Sequence, residues 1–406
     1  MEMKKYKLRE LLTIKNGKDH KQLKEGVYPV LGSGGVMRYV DTFLYDKPSV
    51  LLPRKGSLNN IQYSDKPFWT VDTLYYTEIN EKKVNAYYLY NYLKLLDLSN
   101  LDSGTGVPSM TFDSYYNLSV NLPSLEIQNK VASALFHIDE KISINRQINR
   151  NLEELAKQIY DYWFVQFDFP NEEGKPYKSS GGKMVWNETL KREIPAGWKN
   201  GVLSNIAYIT MGQSPEGSSY NEDGIGTIFY QGSTDFGIRF PNVRMYTTKP
   251  TRFAKIGDIL MSVRAPVGAM NIANSDCCIG RGLSAMNSKI GSITHLYYTM
   301  DYFRHTFENK NAVGTTFGSI TKDELYNLPV VIPSKEVISA FNVKTIYIFN
   351  QQLSTSKEIQ ELTALRDSLL PLLMNGQVTL NSCLSLIIHL YDTIFARFNF
   401  TTRNSK

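Results

Sequence analysis

Apolar side chains recur at helical intervals along the stretch from Ser124 to Val165, which contains no proline and no glycine. Intervals of three and four place them on one face of a helix, at Val131, Leu135, Ile138, Ile142, Leu152, Leu155 and Ile159. Between Ile142 and Leu152 this face turns polar, at Asn145, Arg146, Gln147, Asn149, Arg150 and Asn151. At 1.5 Å per residue the predicted helix is roughly 60 Å long. A helix of that length with a single apolar face requires a partner along it.

An internal repeat supplies that partner. The segment from Ser334 to Leu373 aligns without a gap on the first helix, and its matched positions include Ile138/Ile348, Leu152/Leu362, Leu155/Leu365 and Ile159/Leu369. Upstream, identical residues include Gly104/Gly314, Thr105/Thr315, Ser109/Ser319, Tyr116/Tyr326, Asn117/Asn327 and Pro123/Pro333. The repeat is far longer than the roughly 20–50 residues of a solenoid unit. It therefore predicts a duplicated domain followed by a duplicated helix.

The predicted fold class is α+β, with two similar domains joined by two long helices that pack as an antiparallel coiled coil. The duplication gives the molecule a pseudo-two-fold relation. Within the first domain, Pro48–Pro53 and Thr70–Thr77 favour strands, Asn85–Leu98 favours a helix, and Gly32–Gly35 favours a turn. The predicted boundaries are 1–123 for the first domain, 124–165 for the first helix, 166–197 for a linker with little core, 198–333 for the second domain, 334–375 for the second helix and 376–406 for a tail.

The composition is that of a folded protein with a mild basic bias. Hydrophobic residues make up 42%, charged residues 21%, and the formal net charge is +6. Such a bias permits nucleic acid as a partner without requiring it. Three cysteines, two of them adjacent at Cys277 and Cys278, cannot build a disulfide scaffold or metal framework, and they favour a cytoplasmic chain. We expect no signal peptide and no membrane span, since charged residues interrupt the most apolar stretch, Ser382–Phe400.

Catalytic motifs are absent from the sequence. It contains no GxxxxGK[ST] phosphate loop, HExxH, CxxC or GxSxG, and no Asn-Pro-Pro-Tyr tetrapeptide of adenine methylation. Glu-x-Lys triplets begin at Glu81 and Glu173, but such triplets are expected by chance in a charged chain. The histidines show no metal-ligand spacing. The sequence therefore favours a chain that performs no chemistry by itself.

Basic residues are concentrated in two segments. Between Asp235 and Asp258 no acidic residue interrupts a strip interleaved with aromatic residues: Arg239, Arg244, Lys249, Arg252 and Lys255. A similar strip in the first domain contains Lys15, Lys18, Lys21 and Lys24. Basic side chains neutralise phosphates, and arginine also reads guanine edges. The alternative interpretation, a solvated surface, is equally open for both strips.

The repeated Gly-Thr loops are stronger candidates for nucleic-acid contact. Each loop, Gly104-Thr105 and Gly314-Thr315, precedes a serine and the start of a short helix. Glycine allows close approach of the backbone, and hydroxyls with free amides suit phosphates or bases; the alternative is a simple helix cap. With the basic residues of the matched segments Ser49–Gly56 and Gly257–Gly268, the predicted DNA-binding set is Lys18, Arg54, Lys55, Thr105, Ser109, Arg239, Arg244, Arg252, Arg264, Thr315, Thr316 and Ser319.

From Tyr6 to about Val378 the chain resembles the DNA-specificity subunits of type I restriction–modification systems. The Gly-Thr loops, the helix from Asn121 to Leu155 and the segment from Trp163 to Trp198 carry the resemblance. It implies two target-recognition domains, each reading one half of a bipartite site in double-stranded DNA, with the two helices between them. The tail after Val378 is not required by the family pattern.

The resemblance also implies a division of labour. Methylation would belong to methyltransferase subunits, two of them in the complex, and translocation and cleavage to restriction subunits. Those partners would use S-adenosylmethionine, ATP and Mg²⁺, while this chain would bind no cofactor. Two other readings are an enzyme with its own methyltransferase or nuclease activity, for which a cofactor motif is missing, and a coiled-coil scaffold without affinity for DNA.

The duplication predicts that the two domains read DNA independently. Exchange of residues 198–333 for the same domain of a relative should change one half of the recognised site and leave the other half unchanged. Modification-sensitive sequencing of the host genome measures both halves at once. A simultaneous change in both halves would contradict modular reading.

Overall fold

The computed structural model describes residues 2–98, 108–304, 307 and 318–377. The predicted loop residues Thr105, Thr315 and Thr316 and the tail beyond residue 377 lie outside the described residues. The chain divides into two compact units: unit 1 combines Met1–Ser143 with Glu361–Lys406, and unit 2 is Ile144–Gln360. Two long helices contribute to both units, α3 (Leu125–Tyr160) and α7 (Lys335–Met374). None of the helices among the described residues has the length and apolarity needed to cross a membrane.

Unit 1 is built from two small sheets, a strand pair and short helices. Its strands are β1 (Lys4–Lys7), β2 (Leu12–Lys15), β3 (Tyr28–Gly32), β4 (Gly35–Val40), β5 (Ser49–Pro53), β6 (Gln62–Ser64), β7 (Trp69–Thr70), β8 (Leu74–Ile79) and β9 (Ser119–Leu122). Its short helices are α1 (Ala86–Lys94) and α2 (Phe112–Tyr116). The sheets have the orders β2-β8-β5-β6 and β4-β3-β7, and β1 pairs with β9. Every residue of β5 is buried, because this strand lies between β8 and β6 and packs on α1.

Unit 2 repeats this frame with additions. Its strands are β10 (Met184–Asn187), β11 (Arg192–Pro195), β12 (Lys199–Val202), β13 (Ala207–Met211), β14 (Tyr220–Asn221), β15 (Thr227–Tyr230), β16 (Tyr246–Thr247), β17 (Phe253–Ala254), β18 (Ile259–Ser262), β19 (Met270–Ile272), β20 (Cys277–Ile279), β21 (Leu283–Ser288) and β22 (Pro329–Ile332). Its short helices are α4 (Leu203–Ile206), α5 (Ile293–Tyr302) and α6 (Lys322–Tyr326). The sheets have the orders β13-β21-β18-β19 and β14-β16-β15-β20-β17, beside the pairs β12-β22 and β10-β11.

The order of strands confirms the predicted duplication. The sheet β2-β8-β5-β6 of unit 1 corresponds to β13-β21-β18-β19 of unit 2. In the second sheet, the parallel pair β3–β7 corresponds to the parallel pair β15–β20. The strand at Pro48–Pro53, the turn at Gly32–Gly35 and the helix after Asn85 are also confirmed. The predicted strand Thr70–Thr77 is instead divided, since residues 71–73 separate β7 from β8. The Asn85 side chain accepts a hydrogen bond from the amide of Tyr88 as the N-cap of α1.

Within each unit, segments of α3 and α7 pack in opposite directions, as the sequence predicts. In unit 1, Val131 and Leu135 share an apolar core with Leu369 and Leu373. In unit 2 the contacts include polar ones: Asn145 donates to Glu358 Oε2 at 2.8 Å and Asn149 donates to Ser356 Oγ at 2.8 Å. As residue numbers increase along α3, the numbers of the contacting residues of α7 decrease, so the two helices are antiparallel.

One residue of the predicted apolar face lies elsewhere. Leu155 is 45% exposed, whereas Ala156 and Tyr160 are buried in the core of unit 2. The buried face continues at heptad intervals through Asn145 and Asn149, which the hydrophobic pattern treated as an interruption. These two amides lie at the contact between α3 and α7. The next buried position on this face of α3 is therefore Ala156 and not Leu155.

The segment 166–197 is more than the linker with little core that its composition suggests. A π-helical turn, Asp161–Val165, follows α3, and β10 and β11 form an antiparallel hairpin further on. Phe167, Phe169 and Ile194 are buried in the main apolar core of unit 2. Aromatic side chains among glycine and proline thus fold this segment onto the second domain.

Candidate nucleic-acid interface

In each unit a basic residue that follows the central strand lies beside a serine distant in sequence. In unit 1, Lys55 after β5 forms a β-bridge with Ser109, and the amide of Met110 donates to the Arg54 carbonyl at 2.9 Å. In unit 2, Arg264 after β18 forms the matching bridge with Ser319. The amide of Ile320 donates to the Val263 carbonyl at 3.0 Å. We call Lys55 with Ser109, and Arg264 with Ser319, the basic–serine pairs.

Short helices fix the chain directly after each serine. Thr111 caps α2 by accepting from the amide of Ser114 at 3.1 Å, and Thr321 caps α6 by accepting from the amide of Glu324 at 3.2 Å. The capping function that the sequence left open thus belongs to Thr111 and Thr321, and Ser109 and Ser319 are not the caps.

The repeated tyrosines Tyr116 and Tyr326 hold these helices on the first sheet, a role that the sequence pattern did not reveal. The hydroxyl of Tyr116 accepts from the amide of Ile14 at 2.9 Å, and the hydroxyl of Tyr326 donates to the carbonyl of Ile209 at 2.5 Å. Both contacts join the helix to the first strand of its sheet, β2 or β13. Their identity in the two repeats therefore has a structural cause.

Five of the predicted basic residues present exposed side chains, among them Lys18, Lys55, Arg252 and Arg264. No ion pair involves these four within the described part of the chain. The backbone of Lys18 is nevertheless fixed, since its amide donates to Thr70 and its carbonyl accepts from the Trp69 indole at 2.9 Å. Arg54 is half-buried, and its guanidinium lies 6.0 Å from the centre of the Tyr75 ring.

The structure corrects the prediction for Arg239. This residue is only 7% exposed, so it does not lie on the surface strip that its sequence neighbours suggested. Its guanidinium donates to Glu153 Oε2 at 2.7 Å and to Gln352 Oε1 at 2.9 Å. It also lies over the rings of Tyr297 and Phe349, at 4.6 and 5.2 Å from their centres. Burial and these contacts leave the guanidinium unavailable to a phosphate.

The electrostatics around Arg239 keep it charged. Burial alone would lower the pKa of Arg239, but the neighbouring Tyr297 and the carboxylate of Glu153 outweigh this effect and raise it. Glu153 also accepts from Gln352 Nε2 at 2.7 Å, so the carboxylate is held from two sides. Arg239 is therefore a structural cation that ties its loop to α3 and α7 inside unit 2.

The rest of the second basic strip is only partly available. Arg244 forms an ion pair with the buried carboxylate of Asp235, while more than half of the Arg244 side chain remains exposed. Lys249 forms an exposed ion pair with Glu216 at 2.7 Å. Within this strip, Arg252 and Lys255 keep exposed side chains without an ion pair among the described residues. The strip is therefore not one continuous basic surface.

A glycine-rich hairpin tip lies next to the first basic–serine pair, although the sequence indicated only a turn there. Asn60 Nδ2 donates to the carbonyl of Ser33 at 2.6 Å, and Gln62 Nε2 donates to the carbonyl of Gly32 at 2.8 Å. The Ser33 amide donates to Thr73 Oγ1 at 3.4 Å, and the Thr73 carbonyl accepts from the amides of Arg54 and Lys55. The tip of β3–β4 and the loop of Lys55 are thus neighbours.

Comparison with known proteins gives a consistent result. The family model described as type I restriction modification DNA specificity domain matches residues 1–154 and 195–364. The chain is 32% identical over 309 residues to the putative type I restriction enzyme MjaX specificity subunit of Methanocaldococcus jannaschii, covering 74% of this chain and 69% of that protein. It is 28% identical over 352 residues to the HindI specificity subunit of Haemophilus influenzae, covering 71% and 74%.

A solved structure shows the same fold. The crystal structure of the type I restriction–modification S subunit from M. genitalium superposes with a TM-score of 0.65 at 18% identity. The superposition covers 92% of this chain and 96% of the other.

The buried position of Arg239 predicts a stability effect. Arg239→Ala should lower the free energy of unfolding of unit 2 by about 2–3 kcal/mol, because Glu153 and Gln352 lose their common partner; partial exposure of Glu153 keeps the loss below that of a fully buried pair. Urea denaturation followed by circular dichroism measures the change. Arg252→Ala is the matched control and should change stability by less than about 0.5 kcal/mol. Equal effects of the two substitutions would contradict the structural role.

Proposed function

Because the chain belongs to the DNA-specificity subunits of type I restriction–modification systems, we propose that each of its units reads one half of a bipartite DNA site. This recognition directs methylation and cleavage, which partner subunits carry out. The observation that carries the proposal is the recurrence of the basic–serine pair at the same place in both units, after β5 and after β18. The same surface occurs in both units, but its basic residue is Lys55 in one and Arg264 in the other. This suits two similar DNA-binding domains that recognise different sequences.

The chemistry of each pair suits DNA. The Lys55 ammonium is a point charge that contacts a backbone phosphate, and it contributes affinity without sequence preference. The Arg264 guanidinium is a planar fork that pairs with the O6 and N7 acceptors of a guanine edge. The hydroxyls of Ser109 and Ser319 contact phosphate or base beside these cations.

The proposed DNA-binding set keeps the predicted residues whose side chains are exposed or half-buried. In unit 1 it comprises Lys18, Arg54, Lys55 and Ser109, and in unit 2 Arg244, Arg252, Arg264 and Ser319. Thr105, Thr315 and Thr316 stay in the set as predictions from the sequence. Arg239 is removed from it, because its guanidinium is buried and bonded to Glu153 and Gln352.

The chemistry belongs to other chains in this proposal. Two methyltransferase subunits bind S-adenosylmethionine, and restriction subunits use ATP and Mg²⁺. The specificity chain itself binds no cofactor and needs none, because base and phosphate contacts select the site. Since its target is chromosomal or invading DNA, the complex works in the cytoplasm.

Neutralising the two basic residues should have different consequences. Lys55→Gln should weaken binding to all duplexes and lower the slope of log K against log salt by about one, since one phosphate contact is lost. Arg264→Gln should reduce discrimination at one position of the second half-site by about 1–3 kcal/mol. Titration of the assembled methyltransferase complex with intact and half-scrambled duplexes over a salt series measures both effects.

Matched controls are Lys82→Gln in unit 1 and Lys199→Gln in unit 2, which remove exposed lysines outside the basic–serine pairs. If Lys55→Gln and Arg264→Gln behave like these controls, the basic–serine pairs do not contact DNA. If the intact complex shows no preference for any sequence over scrambled duplex, the assignment of DNA reading to this chain fails.

A further inference from the structure

The hairpin formed by β3 and β4 in unit 1 displays apolar side chains to solvent. Val36, Met37 and Tyr39 are 55%, 58% and 53% exposed. All three lie on β4, which is the edge strand of the sheet β4-β3-β7. An exposed apolar edge strand promotes aggregation unless another molecule covers it. Exposed apolar residues that lie side by side therefore indicate a binding surface.

A β-bulge sets the direction of these side chains. Leu31 pairs with Val36 while Val30 pairs with Arg38, so Met37 is the additional residue on β4. A bulge re-aims the side chains around it and increases the local twist. On the next residue, the Arg38 guanidinium donates to the carbonyl of Leu23, which holds β4 to the preceding loop.

Positive charge flanks the hairpin. The loop preceding β3 carries Lys18, Lys21 and Lys24 with exposed side chains, and it is bonded to β4 through Leu23 and through the carbonyl of Lys24, which accepts from the amide of Asp41 at 3.0 Å. At the tip, Ser33 lies beside the loop of Lys55.

Acidic residues lie near both ends of the hairpin, with the exposed Asp72 next to Thr73 at the tip. Asp41 and Glu25 are at the base of the hairpin, since β4 ends at Val40. Asp19 accepts from the amide of Lys21 at 3.1 Å, a contact within its own turn. Lys24 lies at the base with Asp41 and Glu25. The cation next to the end that carries Val36 and Met37 is Lys55, whose loop is joined to Ser33 through Thr73.

The connection after the matching strand of unit 2 is entirely different. β15 leads into residues 231–245, which contain the buried Arg239, before the chain returns as β16. In unit 1, β3 turns directly into β4 through Ser33 and Gly34. The two units thus share a frame and differ at this connection, which is where different target sequences can be read.

We propose that the β3–β4 hairpin of unit 1 enters the major groove of the first half-site, where Val36 and Met37 contact thymine methyl groups. The proposal rests on the proposed function and names the reading element of that unit. The major groove admits a two-stranded ribbon, and apolar side chains distinguish thymine there through its 5-methyl group. Lys18, Lys21 and Lys55 hold the flanking phosphates, and they position the hairpin without selecting the sequence.

Replacing thymine by uracil tests this contact, since uracil pairs with adenine in the same way and lacks only the methyl group. The probes are duplexes carrying deoxyuridine at single thymine positions of the first half-site, identified beforehand by modification-sensitive sequencing. The assembled complex should bind at least one of them about fourfold more weakly, the equivalent of one buried methyl group. Met37→Ser or Val36→Ser should bind the thymine duplex more weakly and no longer distinguish it from the uracil duplex.

Two controls isolate the hairpin. Val185→Ser removes an exposed apolar side chain from the β10–β11 hairpin and should preserve discrimination between thymine and uracil. Deoxyuridine in the second half-site should affect the original chain and the Met37→Ser chain equally. Thermal unfolding confirms that each variant is folded.

The proposal is overturned if both folded hairpin variants still distinguish the thymine duplex from the uracil duplex. It is also overturned if no deoxyuridine substitution in the first half-site weakens binding by the original complex. In those cases sequence-specific binding by the original complex persists, and the proposed function stands. Loss of all sequence preference in the original complex would refute the proposed function instead.

Discussion

The pairing of α3 with α7 is the contact on which the rest of the structure depends. Neither helix has a core of its own, and each buries one face against the other and against a domain. In unit 1 this contact combines the apolar packing of Val131 and Leu135 on Leu369 and Leu373 with an ion pair between Asp139 and Arg366. In unit 2 it contains the amides of Asn145 and Asn149, bonded to α7. Polar residues in a helix seam cost stability but favour one register over its alternatives.

In unit 2 the same helices organise the domain itself. Trp163 and Phe164, just beyond α3, share a core with Phe341 of α7. The Arg239 guanidinium reaches Glu153 on α3 and Gln352 on α7, so the loop that carries it is fixed to both helices. A charge buried in this way requires all of its partners, because each missing one leaves a desolvated group without compensation. The loop between β15 and β16 is therefore anchored at its centre to the helix pair.

The frame and its variable contents have separate tasks. Identical contacts recur where the frame must be the same, as in the caps Thr111 and Thr321. Differences appear at the exposed positions, with Lys55 in one unit and Arg264 in the other, and in the connection after β3 or β15. Exposed side chains such as Lys55 and Arg264 can change without disturbing the core, whereas the connection after β15 is tied to the core through Arg239. The proposal that the two units read different half-sites rests on this division between frame and variable contents.

The sequence alone determined the duplicated α+β frame, the two long helices and the family, because these properties lie in local periodicity and in comparison of one half with the other. The sequence also predicted a helix over Asn85–Leu98, where α1 begins at Ala86. The tertiary structure decided which side chains face inward. Leu155 is exposed and Ala156 buried because Asn145 and Asn149 belong to the seam. Arg239 is buried against Glu153 and Gln352, which lie 86 and 113 residues away along the chain. The local sequence therefore gave no sign of its burial. A basic residue has the same local pattern whether it faces a phosphate or a buried carboxylate, and only the fold brings its actual partner within bonding distance.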